Sequence, residues 1–176
     1  MIEETINNSL LVPNVEAIVA VDSHFGLAKN GAIPWYNKTD LQYFKQKTTN
    51  NVVIMGSKTL LSLPGAKPLP NRINIVITHS PDTYKNTYHM YSNIRFVTFS
   101  QALSILRNEY HDKTIFIIGG NQIYNAFLPY CTTIWLTQIK KDYHCDLFLN
   151  TDLSVYVPTI VYTDDNIEIM KLSIDI

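Results

Sequence analysis

The sequence predicts an α/β fold of three layers: a mostly parallel eight-stranded sheet with an antiparallel C-terminal edge, flanked by about four helices. Three observations predict this fold. Apolar strand-like runs alternate with short helical patterns, which favours strand–helix–strand units. The central runs are apolar on both faces, as is typical of a parallel sheet that is covered on both sides. No helix separates the last two runs, which indicates an antiparallel pair.

Eight strand-like runs supply the predicted sheet. Their β-branched content and their spacing are typical of strands. In chain order they are VEAIVAVD (15–22), NVVIMG (51–56), RINIVIT (72–78), IRFVT (94–98), KTIFIIGG (113–120), TTIWLTQI (132–139), VPTIVYT (157–163) and IEIMKLSIDI (167–176).

Helices are expected between these runs. A capping box of Thr39 and Gln42 predicts the start of the first. The second is expected over 57–63, the third from a Ser100 cap to Glu109, and the fourth over 120–127. Residues 1–14 are expected to form a loosely held extension, which leaves 15–176 as one domain.

The composition argues against several classes of function. The chain has 176 residues, of which 46% are hydrophobic and 16% charged, against about 25% charged in an average domain. A net charge of -1 gives no basic field for nucleic acid or a membrane surface. No run approaches the ~18 apolar residues of a membrane span, and no secretory signal pattern is present. We therefore expect a cytoplasmic protein with no metal site, in which Cys131 and Cys145 are free thiols.

Two glycine turns are candidate phosphate sites. Gly119 and Gly120 separate a buried strand from a helix, and Gly56 does the same ahead of Lys58. The unpaired N–H groups at a helix start favour an anion. Neither turn has a standard nucleotide motif, so each is also compatible with a plain tight turn. Taken together, two such turns fit a dinucleotide better than ATP.

Asp40 is the candidate for proton chemistry. Helical spacing places it on one face with Phe44, beside Leu41, after a long loop (26–35) that ends at Trp35. An acid in the first turn often does no more than complement the helix dipole, and this interpretation stays open. In an apolar pocket, however, a carboxylate can accept two N–H bonds from a cyclic amidine, and burial raises its pKa.

Six segments in order and spacing resemble dihydrofolate reductase over about Val15 to the C-terminus: KNGAIPW, VVIMGSKT, PLPNRINIVIT, IIGGNQIY, LTQI and CDLF. The resemblance implies NADPH-dependent hydride transfer to C6 of 7,8-dihydrofolate with protonation at N5. It also implies binding of antifolates such as methotrexate, and we expect a monomer. Two alternatives remain: a same-fold reductase of a riboflavin-pathway pyrimidine, and a non-catalytic scaffold or RNA-binding relic of the fold.

The resemblance also implies the site residues. The implied catalytic residues are Asp40, which binds the pterin edge and promotes protonation of N5, Thr137, which hydrogen-bonds Asp40, and Trp35. Arg72 is implied to bind the carboxylate of the substrate's glutamate tail. The implied substrate contacts are Ile18, Asp40, Leu41, Phe44, Leu63, Leu69, Arg72, Ile118 and Thr137. The implied cofactor contacts are Ala20, Leu27, Gly56, Ser57, Lys58, Thr59, Thr78, His79, Gly119, Gly120, Asn121, Gln122, Ile123 and Tyr124, with a cis peptide joining Gly119 and Gly120.

Several positions depart from the family pattern. Ser57 stands where a basic residue usually contacts the cofactor's 2′-phosphate, and His79 stands where serine or arginine is frequent. Because Lys58 is retained, NADPH is still expected to be favoured, and the two departures bear on its margin over NADH. Ala28, Leu60 and Asn121 replace a glycine, a tryptophan and a small residue, which indicates a divergent member of the family.

Overall fold

The computed structural model of the chain describes residues 10–174. Eight strands form one sheet: β1 (Val12–Val21), β3 (Val52–Gly56), β4 (Ile73–Ile77), β5 (Ile94–Val97), β6 (Ile115–Ile117), β7 (Cys131–Ile139), β9 (Tyr156–Thr163) and β10 (Ile167–Ile174). Two shorter strands, β2 (Gly26–Ala28) and β8 (Leu147–Phe148), form a separate antiparallel pair. The predicted number of strands in the main sheet is confirmed, while the small sheet was not predicted.

The main sheet has the strand order β5-β4-β3-β6-β1-β7-β10-β9. Neighbours from β5 to β7 are parallel, and β10 is antiparallel to both β7 and β9. The prediction of a mostly parallel sheet with an antiparallel C-terminal edge is therefore confirmed. The carboxyl ends of β1, β6 and β7 meet at one edge in the middle of the sheet, where open α/β sheets bind their ligands.

Five helices flank the sheet: α1 (Lys38–Thr48), α2 (Ser57–Ser62), α3 (Pro81–Thr87), α4 (Phe99–Asn108) and α5 (Asn121–Phe127). Short 3-10 turns cover Pro64–Ala66 and Leu128–Tyr130. The sequence predicted four of the five helices and missed α3. This helix contains no buried residue, so it carries no apolar periodicity that could reveal it.

Two predicted helix caps are wrong. Asn37, not Thr39, caps α1, because its side chain accepts the N–H of Asp40 at 2.9 Å and its backbone is extended, as a cap requires. Thr98, not Ser100, caps α4 and forms a capping box with Gln101. In both cases the helix begins earlier than predicted, so the expected capping residue lies inside the first turn.

The two faces of the sheet carry separate apolar cores, which confirms the three layers. On one face, α4 and α5 pack on alternate residues of the central strands; this core includes Val15, Ala17, Ile54, Leu106 and Phe127. On the other face, α1, α2 and α3 cover a second core that includes Ile18, Met55, Leu60, Tyr88 and Trp135, with Phe44 packed against it. Adjacent residues of β1 thus point to opposite layers.

The N-terminal boundary differs from the prediction. Strand β1 begins at Val12, three residues before the expected start at Val15. Residues 1–9 of the expected extension lie outside the described residues. Cys131 and Cys145 are both free, as predicted, and the structure shows that both are buried. In residues 10–174, no helix has the length and apolar character needed to cross a membrane.

Candidate active site

The centre of the candidate site is a contact between α1 and β7. Asp40 lies in the first turn of α1, and Thr137 lies in the middle of β7, 97 residues away in sequence. The Thr137 hydroxyl donates a hydrogen bond to Asp40 Oδ1 at 2.7 Å. Thr137 is buried and Asp40 is half-buried. The open interpretation of Asp40 as a merely exposed first-turn acid is therefore wrong.

Burial changes the acidity of Asp40. Removal of the carboxylate from water raises its pKa above the ordinary value, while the hydrogen bond from Thr137 acts in the opposite direction. The net direction is upward. Asp40 therefore holds a proton at a higher pH than an aspartate in water does.

The predicted apolar wall residues lie on the face of the sheet that α1 covers. Five of the six predicted apolar wall residues belong to the second core or pack against it: Ile18, Phe44, Leu63, Leu69 and Ile118. Leu41 differs, because its side chain is 51% exposed. The arrangement supplies a predominantly apolar surface next to the Asp40 carboxylate.

Arg72 is buried at the far end of α1. Its Nε donates to the carbonyl of Pro70 at 2.9 Å, and Nη1 donates to Thr48 Oγ1 at 3.0 Å. Burial lowers its pKa, although a guanidinium stays charged at any physiological pH. The two contacts hold the planar fork of donors in one orientation.

The two predicted glycine turns lie side by side. The N–H of Gly56 donates to the carbonyl of Gly119 at 2.9 Å, and the peptide bond between Gly119 and Gly120 is cis. A side chain at Gly56 would press on Ile123 of α5, so the turn before α2 and the helix α5 approach each other closely. The starts of α2 and α5 therefore face the same region.

The other predicted cofactor residues are distributed around these turns. Leu27, Thr78, Ile123 and Tyr124 are buried, whereas Ala20, Ser57, Thr59 and Asn121 are half-buried and Lys58, His79 and Gln122 are exposed. The Tyr124 hydroxyl donates to the carbonyl of Ile18 at 2.8 Å and thereby ties α5 to β1. Ala20 pairs in register with Thr137, which places both beside Asp40.

Trp35 closes the loop that precedes α1. It packs with Tyr143 at a ring-centroid distance of 5.6 Å and belongs to a third apolar cluster, which contains Ile139 and Ile169. Trp35 is half-buried and lies two residues before the Asn37 cap. It therefore anchors the loop on the sheet next to the helix that carries Asp40.

Sequence reasoning missed Asp22, which is fully buried directly after β1. Its Oδ1 accepts the N–H groups of His24 at 2.9 Å and Gly26 at 2.8 Å, and its Oδ2 accepts the N–H of Tyr143 at 3.0 Å and the thiol of Cys145 at 3.5 Å. One carboxylate thus joins the start of the 26–35 loop to the loop after β7. A short Asp-x-x-x-Gly turn was the one local signal for it.

Gly26 shows how tightly these two loops meet. A side chain at this position would overlap the side chain of Cys145. The backbone N–H of Asn30 also donates to Asp146 Oδ2 at 2.9 Å, and the N–H of Asp146 donates to the carbonyl of Ala28 at 3.0 Å. The two loops are therefore connected by the pairing of β2 with β8 and by the Asp146 carboxylate.

Comparisons with known proteins agree with this architecture. The family model described as dihydrofolate reductase matches residues 14–161. A dihydrofolate reductase of Ureaplasma parvum is 35% identical over 127 residues, which cover 72% of this chain and 76% of the relative. One from Bacillus subtilis is 33% identical over 132 residues, which cover 75% of this chain and 73% of the relative.

A solved structure has the same fold. It is a dihydrofolate reductase from Enterococcus faecalis complexed with NADP(H) and RAB-propyl, and it superposes with a TM-score of 0.75. The match covers 93% of this chain and 97% of that chain, at 24% sequence identity.

Proposed function

Because this chain belongs to the dihydrofolate reductase family, we propose that it uses NADPH to reduce 7,8-dihydrofolate to tetrahydrofolate. The observation that carries the proposal is the carboxylate of Asp40, bonded to Thr137 at 2.7 Å and set beside an apolar surface. The family match favours this function over a pyrimidine reductase or an RNA-binding scaffold. Tetrahydrofolate would serve one-carbon metabolism and the synthesis of thymidylate and purines.

The residues present fit a dinucleotide. Gly56 and Gly119 are joined by a hydrogen bond, so the turns that open α2 and α5 form one continuous surface. A side chain at Gly119 would press on the Tyr124 ring, so the glycine lets this ring pack directly against the turn. Lys58 and Gln122 are exposed beside these turns and would contact the phosphates, while Ala20 and Leu27 would hold the nicotinamide carboxamide through their backbones.

When bound, NADPH supplies the hydride that C6 of the substrate accepts. The side chain of Asp40 binds the N–H edge of the pterin and holds a proton for delivery toward N5, through water. Thr137 keeps the carboxylate oriented for this role. The walls formed by Ile18, Phe44 and Ile118 exclude water, and the 26–35 loop ending at Trp35 covers the site.

Arg72 is the proposed partner of the glutamate tail. It is held by Pro70 and Thr48, so its fork is oriented before the ligand arrives. Leu63 and Leu69 would contact the benzoyl group between the pterin and this tail, and methotrexate would use the same residues. We further propose a cytoplasmic monomer with one domain over 15–176.

A direct assay tests the function. Purified protein, dihydrofolate and NADPH should together cause loss of NADPH absorbance, and methotrexate should stop it. Folded protein that leaves NADPH unchanged would contradict the proposal. Replacing NADPH with NADH in the same assay measures the effect of Ser57 and His79 on cofactor preference. A pyrimidine substrate of the riboflavin pathway, tested in parallel, should not be reduced.

A further inference from the structure

Helix α1 carries Asp40 but is held on the sheet by few buried side chains. Of its eleven residues, only Thr48 is buried. Polar contacts attach it at both ends: Asp40 accepts from Thr137, and Thr48 accepts from Arg72 at 3.0 Å. The position of α1 therefore depends on specific contacts more than on a large apolar face.

A tryptophan on β7 lies under the middle of this helix. Trp135 precedes Thr137 by two residues, so both side chains leave the same face of the strand. Trp135 is 9% exposed, and its Nε1–H donates to Glu16 Oε1 at 2.7 Å, which fixes the plane of the ring. Tyr43 of α1 meets the ring edge-on, with centroids 6.3 Å apart.

Lys47 of α1 sits over the face of this ring. Its Nζ lies 3.6 Å from the Trp135 centroid, a distance at which a cation is attracted by the aromatic face. Lys47 follows Asp40 by seven residues, which is close to two helical turns, so both project toward the sheet. No ion pair among residues 10–174 involves Lys47, so the ring is its principal partner.

We propose that Lys47 and Trp135 are positioning residues. Their contact fixes the position of α1 relative to β7 and thereby the distance between Asp40 and Thr137. This inference rests on the proposed function, because it gives Asp40 a proton to deliver. The ring and Thr137 belong to one rigid strand, while the cation and Asp40 belong to one helix. Loss of the contact between Lys47 and Trp135 therefore lets α1 shift where Asp40 meets Thr137.

Several charged groups surround these two points. Glu16 on β1 and Lys171 on β10 face Lys47, and Lys171 Nζ lies 5.3 Å from the Trp135 centroid. On the other side, Tyr124 of α5 is close enough to Asp40 that the carboxylate helps to raise the pKa of its hydroxyl. Charge removal alone could therefore change the titration of Asp40, and the test must separate it from movement of the helix.

Three variants separate the two effects. Lys47→Met keeps the packing of the side-chain stem but removes the cation from α1. Lys171→Met removes the same charge beside the same ring but leaves α1 untouched. Lys47→Arg restores a cation that can stack on the ring.

The primary measurement is the titration of the Asp40 carboxyl by carbon-13 NMR, assigned with Asp40→Asn. We expect Lys47→Met to move this titration to higher pH as the Thr137 bond lengthens, and Lys171→Met and Lys47→Arg to leave it near that of the wild type. In the rate assay, Lys47→Met should lower kcat by about tenfold, because misplacement of a catalytic group by ~1 Å costs up to ~10²-fold.

Two outcomes would overturn the proposal: an unchanged Asp40 titration in Lys47→Met, or equal changes in Lys47→Met and Lys171→Met. The second outcome would assign the effect to charge alone. The NMR titration needs no turnover, so it still tests the positioning role if the wild-type protein fails to oxidise NADPH. That failure would count against the proposed function only.

Discussion

Asp22 and Asp40 are two carboxylates in different surroundings. Asp22 is fully buried and accepts three backbone N–H groups and one thiol. Asp40 is half-buried and accepts one described side-chain bond, from Thr137. Burial acts to raise the pKa of Asp22, but the N–H donors of Tyr143, Gly26 and His24 outweigh it, and the net pKa lies below its ordinary value. The pKa of Asp40 is raised.

The comparison teaches that hydrogen-bond donors can reverse the effect of burial on the pKa of a carboxylate. Asp22 is the stronger acid, because both of its oxygens accept hydrogen bonds from partners that favour the charged form. Asp40 is the weaker acid, because the hydrogen bond from Thr137 does not outweigh the loss of water around the carboxylate. Asp22 is therefore suited to holding two loops together, and Asp40 to holding a proton.

The largest expected effect comes from Asp40→Asn. The amide keeps the shape of the side chain but cannot deliver a proton, so we expect kcat at neutral pH to fall by ~10²–10⁴-fold, the usual contribution of a general acid. The free energy of unfolding should stay the same or rise, because a partly desolvated charge is removed. Steady-state rates and urea unfolding measure the two quantities. Unchanged turnover would contradict the role of Asp40.

The second-largest expected effect is a loss of stability in Asp22→Asn, in contrast to the loss of activity in Asp40→Asn. Here the amide must turn an N–H₂ group toward one pair of donors, so one of the two loops loses its acceptor. We expect the free energy of unfolding to fall by about 2–4 kcal/mol, since one hydrogen bond to a charged group contributes roughly 1.5–3 kcal/mol. Urea unfolding measures this loss.

Asp112→Asn is the matched control for this variant. It makes the same chemical change at an exposed position, where substitutions usually alter stability by no more than about 0.5 kcal/mol. A similar small effect in Asp22→Asn would show that the buried hydrogen bonds hold the loops only weakly. The distinction between the two carboxylates would then fail.

The contrast between the two acids also shows what the sequence could predict. The strands and the parallel core were predicted, because strand–helix alternation and runs that are apolar on both faces are local patterns. The strand order could not be predicted from such patterns. The face of α1 that carries Asp40 and Phe44 followed from helical spacing. The link from Asp40 to Thr137 came from family resemblance, since these residues lie 97 positions apart.

Asp22 was missed because only half of its acceptor role is local: His24 and Gly26 lie close in sequence, but the partners of Oδ2 are distant. Tyr143 lies 121 residues further along the chain, and no local pattern joins the two. The cap of α1 was assigned to Thr39 for a related reason. The capping residue is the one at which the chain turns from extended to helical, and this depends on how the preceding loop enters at Asn37.

The pH dependence of stability should distinguish the two carboxylates by sign. An aspartate in the unfolded chain has a pKa of about 3.9. The folded pKa of Asp22 is lower, so its stabilisation is fully present above that pH and is lost as pH falls through the folded pKa. The folded pKa of Asp40 is higher, so stability declines as pH rises from about 3.9 through the folded pKa.

Urea unfolding at a series of pH values measures both slopes. The difference in unfolding free energy between the wild type and Asp22→Asn should grow as pH rises. As pH rises, the free energy of unfolding of Asp40→Asn should increase relative to that of the wild type. Slopes of the same sign would contradict the assignment of opposite pKa shifts.

The smallest expected effect tests the single donor of Asp40 directly. Thr137→Val removes the hydroxyl at 2.7 Å and keeps the shape of the side chain, so stability should fall by about 1 kcal/mol or less. The hydrogen bond is the contact that lowers the pKa of Asp40, so its loss should raise that pKa further. The fall in rate at high pH should then move to higher pH. Thr133→Val on the same face of β7 should leave the profile unchanged, whereas an unchanged profile in Thr137→Val would mean that burial alone tunes the acid.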